Sequence, residues 1–498
     1  MNRMGIMALF VAVALATACG CSESHKLPDP PENFVRYTET VTLHSEILGT
    51  DINFGIYLPA SYRDDKGARY PVVYMLHGLG DNWTSWNGKY LQANRKVDAL
   101  VKNGLSEMIY VFPSGFKTYY CNFYTGKYNY MDMFVEELIP FIDKNFRTLA
   151  DKGHRAVTGY SMGGFGAMAL AMKHPELFCC SAPLSMSFRT DSQYMSESQD
   201  GWDEQWGRIF GGIGKYGPDR LTDWYLAHCP YYQFSDAART ELETVKWFLT
   251  CGDDEEQLLI ANDSLHVILR DRNYAHEFRV GNGAHTSTYW MDALSEVLPW
   301  FDSCMNGSTL WPECSESNIV KADIEPDSHG VVESPAFSKG GTCVYFLHRG
   351  LSKDELRDVM AVAWNSNNTL NYVFLPCDLE IRSAAEWEEY YAEKYGSENK
   401  IAVVLDGAGQ EVLARKSSYG RILVVNTVLQ EDGETVTTEG EKWYFAATDD
   451  ASCYRSMDNL YRSCKRSGAN FEYRVVNGSG DKAEDRLRTL SKIKGYLF

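Results

Sequence analysis

From about residue 38 the chain alternates short apolar runs with longer segments of helical period. Residues 70–76 (YPVVYML), 108–113 (MIYVFP), 155–158 and 245–250 (VKWFLT) are continuous apolar runs. They are too short for buried helices and lack the alternation of a one-sided strand, so they predict strands covered on both faces. Helical segments between them predict an α/β fold with a mostly parallel sheet and helices on either side. Each run leads into a loop that contains glycine or polar residues. In such a sheet, the loops at the carboxyl ends of the strands are where ligands bind.

One of those loops carries a sharp signal. Gly159-Tyr160-Ser161-Met162-Gly163 follows a strand and precedes Gly164-Phe165-Gly166-Ala167-Met168-Ala169-Leu170, a predicted helix. The G-x-S-x-G turn between strand and helix is so tight that only small residues fit around its serine, and it exposes the hydroxyl at the helix N-terminus. Ser161 is the candidate nucleophile. A serine hydroxyl needs a base to take its proton and an acid to orient that base. Of 11 histidines, His285 fits best, since it follows the strand-like 277–280 on a glycine-rich loop and precedes a helical run to residue 298. His154 precedes the elbow strand at its wrong end, His174 ends the elbow helix, and His25 and His44 come too early for the chain order Ser, acid, His. The acid should follow the strand ending near residue 250, where the chain reads Cys251-Gly252-Asp253-Asp254-Glu255-Glu256.

With these residues in place the chain resembles the esterase family of the α/β-hydrolase fold that includes esterase D, tributyrin esterases and bacterial feruloyl and acetyl-xylan esterases. The resemblance spans roughly residues 38–302. It is carried by Leu76-His77-Gly78-Leu79-Gly80-Asp81 with Trp86, Phe112-Pro113-Ser114-Gly115, the elbow, Cys251-Gly252, and Gly283-Ala284-His285 with Trp290. It implies that the acid sits three residues after the glycine of the Cys-Gly motif, which is Glu255 where the family usually has Asp. Asp254 is the alternative. It also implies an oxyanion hole formed by the backbone N–H groups of Leu79 and Met162, and the glycine-rich turn and helix N-terminus suit that role.

Two aromatic-rich segments fall where substrate would enter. One includes Tyr119 and Tyr120; the other, an insertion at 188–244, carries Trp202, Trp206 and Trp224. Aromatic faces suit sugar rings or a phenolic acyl group, so these five are candidate substrate contacts, against the alternative that they form the small core of a cap.

A boundary is expected at 303–318, which is rich in Ser, Asn, Glu and Gly. Beyond it, residues 319–498 repeat what came before. Lys246-Trp247-Phe248-Leu249 and Asp253 correspond to Lys442-Trp443-Tyr444-Phe445 and Asp449, and Glu277-Phe278-Arg279-Val280 to Glu472-Tyr473-Arg474-Val475. In this repeat Gly407 stands for Ser161, Gly480 for His285 and Ala451 for Glu255, so the second copy is expected to be non-catalytic.

Residues 1–18 carry a basic Arg3, an apolar run and a small-residue cleavage site, the pattern of an export signal. Cys19 directly after it resembles an acylated lipoprotein cysteine, with 19–37 as a tether; cleavage to a soluble periplasmic form is the alternative. The 13 cysteines match no metal or redox spacing, so no metal or cofactor is expected, while Cys304 and Cys314 could pair. Lys and Arg number 48 against 67 Asp and Glu, a net charge of −19, which argues against a nucleic-acid partner and leaves a lipid anchor as the expected membrane attachment. At 498 residues with 44% hydrophobic and 23% charged positions, the chain has ample length for a core and is neither disordered nor fibrous in composition. The expected function is hydrolysis of a small ester or an ester-substituted glycan, with acyl transfer to a sugar or plain glycan binding as alternatives.

Overall fold

The structure is a computed structural model that describes residues 36–308 and, further on, 331–334, 342–366, 370–377, 383–397, 399–405, 407–408, 418–427, 442–449, 461–462 and 470–493. Cys19 and the expected signal, nearly all of the expected tether, Cys314 and Ala451 lie outside the described residues, as does the 309–318 part of the expected linker.

The strands of the first half are β1 (Tyr37–Ser45), β2 (Thr50–Tyr57), β3 (Val72–Leu76), β4 (Ile109–Pro113), β5 (Arg155–Tyr160), β6 (Cys180–Leu184), β7 (Lys246–Gly252) and β8 (His276–Gly281). Their order is β1-β2-β4-β3-β5-β6-β7-β8, antiparallel through β1, β2 and β4 and parallel from β4 to β8. This is the α/β-hydrolase arrangement. The continuous apolar runs are explained by burial on both faces: in β3, Val72, Tyr74 and Leu76 enter one core, while Val73 and Met75 enter the other. The first core is closed by helices Met162–Lys173 and Glu256–Asp271, the second by Ala93–Lys102 and Ser287–Asn306. Each fully buried Leu or Val in these layers contributes roughly 1.5–3 kcal/mol.

The expected boundary after residue 302 falls inside a helix. Ser287–Asn306 runs on because Trp300, Phe301 and Met305 keep burying its inner face, and it stops at Gly307, whose φ of 66° is a left-handed cap. Cys304 is a free thiol beside Cys180.

Beyond it lie β9 (Val332–Ser334), β10 (Thr342–His348), β11 (Asn371–Pro376), β12 (Asn399–Val404), β13 (Arg421–Val425), β14 (Lys442–Thr448) and β15 (Asn470–Val476). Read from its far edge, this half runs β9-β11-β10-β12-β13-β14-β15, the order of β2-β4-β3-β5-β6-β7-β8, and β9 is antiparallel to β11 as β2 is to β4. Among the described residues one fifteen-stranded sheet results, because β15 lies antiparallel against β8 with Val475 opposite Val280.

Two histidines near that junction form a neutral pair, His266 buried and His276 half-buried. The His276 Nδ1–H donates to the Tyr274 carbonyl at 2.9 Å, leaving Nε2 to accept from His266 Nδ1 at 2.8 Å, and His266 stacks on Phe278. Burial pushes His276 down to about 4 and His266 well below its ordinary value. The unfolded chain therefore binds more protons below about pH 6.5, so the stability held in this pair is complete above that pH and drains as pH falls toward 4. Urea midpoints should fall steadily from about pH 7 to pH 4.5, at up to about 1.4 kcal/mol per pH unit for each histidine that stays neutral. A midpoint that does not move over this range would contradict the neutral pair.

Candidate active site

The carboxyl ends of β3, β5, β6, β7 and β8 converge on one point. Ser161 follows β5 as the N-cap of helix Met162–Lys173, with φ 57° and ψ −116°, a strained conformation for a residue with a side chain. It is held by its surroundings: the Ser161 N–H donates to the Leu184 carbonyl at 3.0 Å, and the Ser187 N–H donates to the Ser161 carbonyl at 3.0 Å. The elbow glycines make room for this. A Cβ at Gly163 would overlap the Leu76 carbonyl, and one at Gly159 would overlap the Gly163 backbone.

From Ser161 a chain of hydrogen bonds leads inward. Its Oγ lies 2.9 Å from His285 Nε2, and His285 Nδ1 lies 2.7 Å from Glu255 Oε2. With Nδ1–H donating to the carboxylate, Nε2 is left to accept from the serine hydroxyl. The imidazole is 37% exposed and the Glu255 carboxylate 0%, so the chain runs from solvent into the protein. The other carboxylate oxygen, Oε1, accepts from the Ser185 hydroxyl at 2.5 Å and from the Gly252 N–H at 2.9 Å. Ser185 in turn accepts from the Trp290 indole N–H at 3.0 Å, and Trp290 meets the His285 ring edge-on while stacking on Tyr160 at 4.2 Å. Asp254 is exposed and makes a backbone bond, from its N–H to the Gly283 carbonyl. Glu255, rather than Asp254, is thus the carboxylate that His285 meets.

The turn after β3 is tied from below. His77 is buried, and burial lowers its pKa, keeping the ring neutral. Its Nδ1 lies 2.8 Å from the Gly78 carbonyl, and its Nε2 accepts from the Gly115 N–H at 2.8 Å. Tyr120 Oη accepts from the His77 N–H at 2.8 Å, and Trp86 donates to the Leu76 carbonyl. The Leu79 side chain points out to solvent from this turn, and Met162 opens the elbow helix, where an N–H has no carbonyl one turn back.

Residues 45–301 match the family described as Putative esterase. The chain belongs to this family. Among the relatives, an endo-1,4-beta-xylanase/feruloyl esterase of Xylanibacter ruminicola is 34% identical over 297 residues, which are 56% of this chain and 34% of that protein. An esterase of Mycobacterium tuberculosis is 35% identical over 134 residues, 26% of this chain and 27% of that protein. The chain thus spans about a third or less of the length of these curated relatives. Among solved structures, a ferulic acid esterase is 29% identical and matches 54% of this chain and 98% of its own, at a TM-score of 0.45.

Four of the five aromatic candidates require correction, while Trp224 is only half-buried. Trp202 and Trp206 are fully buried and pack against Tyr194 and Phe210, with the Trp202 indole N–H bound to the Gly212 carbonyl: they are the core of the cap. Tyr119 is buried against Trp206 and Phe165, and Tyr120 lies beneath the His77 turn. Trp224 stacks on His228 and donates to the Ile209 carbonyl. An aromatic large enough to bind a sugar is also large enough to organise a cap of short helices, and the need of this insertion for a core decides between them. Exposed apolar side chains on the loops after β3 and β4 include Leu79, Tyr90, Phe116 and Tyr124, and the insertion adds Ile213 and Tyr216.

Sequence reasoning passed over Ser185. It follows β6 directly with a φ of 46°, and the short run at 180–184 before it carries no motif that singles the serine out.

Two outcomes follow from this packing. Glu255→Gln should keep the fold but lower kcat by about 10²- to 10⁴-fold, because the amide can donate where the imidazole N–H must be accepted; steady-state kinetics with an ester substrate reads this. Trp202→Ala should cost about 3–5 kcal/mol of stability by leaving a cavity in the cap, seen in denaturant melts, with little change in preference among ester substrates in the fraction that remains folded.

Proposed function

We propose that this protein is a serine carboxylesterase that removes acetyl or feruloyl groups from glycans through an acyl-enzyme. The observation that carries the reading is the unbroken Ser161–His285–Glu255 chain at a strained strand-to-helix turn. Ser161 Oγ attacks the ester carbonyl carbon while its proton passes to His285 Nε2, and the imidazolium so formed is held by Glu255. The developing oxyanion takes the N–H groups of Leu79 and Met162, each worth about 3 kcal/mol in related chemistry. The intermediate collapses, the C–O bond to the alcohol breaks, and His285 returns the proton to the departing oxygen. Water then attacks the acyl-serine in the same manner, releasing the acid and restoring the serine hydroxyl.

The substrate class is supported by the feruloyl esterase name of a relative and by the exposed Leu79, Phe116 and Tyr124 on the loops after β3 and β4, which offer apolar surface to an aromatic acyl group. Export as a lipoprotein through Cys19 would bring the site to such extracellular glycans. The test is hydrolysis of p-nitrophenyl acetate, followed by acetylated and feruloylated xylan fragments, by the protein and by Ser161→Ala. The variant should lose at least about 10³-fold in kcat, and the preferred fragment names the acyl group. Equal rates with and without the hydroxyl would refute an acyl-serine.

A further inference from the structure

The family match ends at residue 301, yet a side chain from far beyond it grips the loop that carries His285. Arg474, in β15, is buried with 6% of its side chain exposed. Its Nη1 donates to Asp253 Oδ2, and its Nη2 donates to Asn282 Oδ1 at 3.0 Å. The same Asp253 oxygen accepts the Tyr473 N–H at 3.3 Å. The other, Oδ1, accepts the Gly283 N–H at 3.1 Å, two residues before His285. Backbone bonds from the Asp253 N–H to the Gly281 carbonyl and from the Asp254 N–H to the Gly283 carbonyl complete the clasp, and Gly252 and Gly283 approach so closely that a Cβ on Gly252 would overlap the Gly283 carbonyl. The acid loop and the histidine loop are therefore one unit, and Arg474 closes it from the other half of the chain.

The junction contains its own mirror image. About the Val280–Val475 pair, Arg279 Nη1 donates to Asp449 Oδ2 at 2.9 Å, and the Phe278 N–H donates to the same oxygen at 3.1 Å. Asp449 Oδ1 accepts the Gly478 N–H at 3.0 Å, and the Asp449 N–H donates to the Val476 carbonyl. Each arginine also meets a glutamate two residues earlier, Glu277 or Glu472. The two sets share the arginine–aspartate pair, the backbone N–H on the same aspartate oxygen and the glycine N–H on the other; beyond these, Arg474 donates to Asn282, whereas Arg279 also pairs with Glu296 at 3.4 Å and Asp449 also meets Arg270. They differ too in what their loops carry: the loop held by Arg474 leads to His285, and the loop held by Arg279 leads to Gly480.

We propose that Arg474 is a positioning residue for ester cleavage, acting through Asp253 and Asn282 to hold His285 in line between Ser161 and Glu255, so that the C-terminal half serves the site much as a second subunit would. This rests on the Ser161–His285–Glu255 reading. Removing the guanidinium leaves the buried Asp253 carboxylate without its cation, so it takes up a proton or turns toward water, and its hold on the Gly283 N–H weakens. Displacing a catalytic imidazole by about 1 Å costs on the order of 10²-fold in rate without weakening substrate binding.

The mirror pair supplies the control. Full-length protein, Ser161→Ala, Arg474→Met, Arg474→Gln and Arg279→Met are compared for kcat and KM on p-nitrophenyl acetate and for thermal unfolding. Both Met variants remove one buried cation from the same junction and should lower Tm. Arg474→Met should lose about tenfold or more in kcat with KM within about twofold, whereas Arg279→Met keeps kcat within about twofold of the parent. Arg474→Gln, which keeps a donor, should recover part of the loss, and it carries the test should Arg474→Met not fold: a kcat at least about threefold below the parent at unchanged KM is then expected. Parental kcat in the folded Arg474 variants, or an equal loss in Arg279→Met, overturns the proposal while leaving the site intact. An active Ser161→Ala overturns the reading of the site itself.

Discussion

One buried carboxylate organises the functional end of this molecule. Glu255 has no exposed side-chain surface, and a charge taken out of water is tolerated only when hydrogen-bond donors surround it. Its donors come from three separate places: Ser185 after β6, the Gly252 N–H at the end of β7, and His285 on the loop after β8. Satisfying that charge brings the three loops together, and the Trp290 N–H on Ser185 extends the set to the helix that follows. The strained Ser161 is the fourth party, pinned by backbone bonds to the strand-end segment that presents Ser185. Geometry that looks like a row of catalytic residues is equally the solution to a solvation problem.

The parts of this arrangement that could be read from the chain are the local ones. The elbow announces itself because its constraint is written within five residues: small side chains where strand and helix backbones nearly touch. His285 is legible because a glycine-rich loop and a following helix bracket it. Glu255 could be narrowed to a pair but not separated from Asp254, since adjacent loop residues point in different directions and only the fold says which points inward. Ser185 was hidden because its value lies in contacts with residues 70 and 105 positions away. The cap aromatics were misplaced for a related reason: hydrophobic size predicts burial, but whether against a ligand or against one another depends on how little else the short helices of 188–244 have to pack.

The strands were legible as continuous apolar runs, and so was the echo of the first half in the second. Strand order adds something that sequence patches could not. The C-terminal half reproduces the sequence of strands from β2 to β8 and then turns its last strand against the last strand of the first half, so that two equivalent edges cover each other. An unpaired edge strand is a template for association with other chains, and closing two of them against each other removes that hazard at both.

Closing the edges need not have required buried ions. Apolar side chains at the junction would cost less desolvation, and replacing a buried ion pair with hydrophobic residues is often neutral or stabilising. What the Arg279–Asp449 and Arg474–Asp253 pairs add is register: a strand slipped by one residue sends every side chain to the opposite face, and here it would pull both arginine–aspartate pairs apart. Of the two pairs, Arg474–Asp253 is the one that clasps the loop leading to His285, through the Gly283 N–H. The junction is polar where precision at the neighbouring loop matters, and the histidine gains from the second half a fixed position that the edge of an open sheet would not provide.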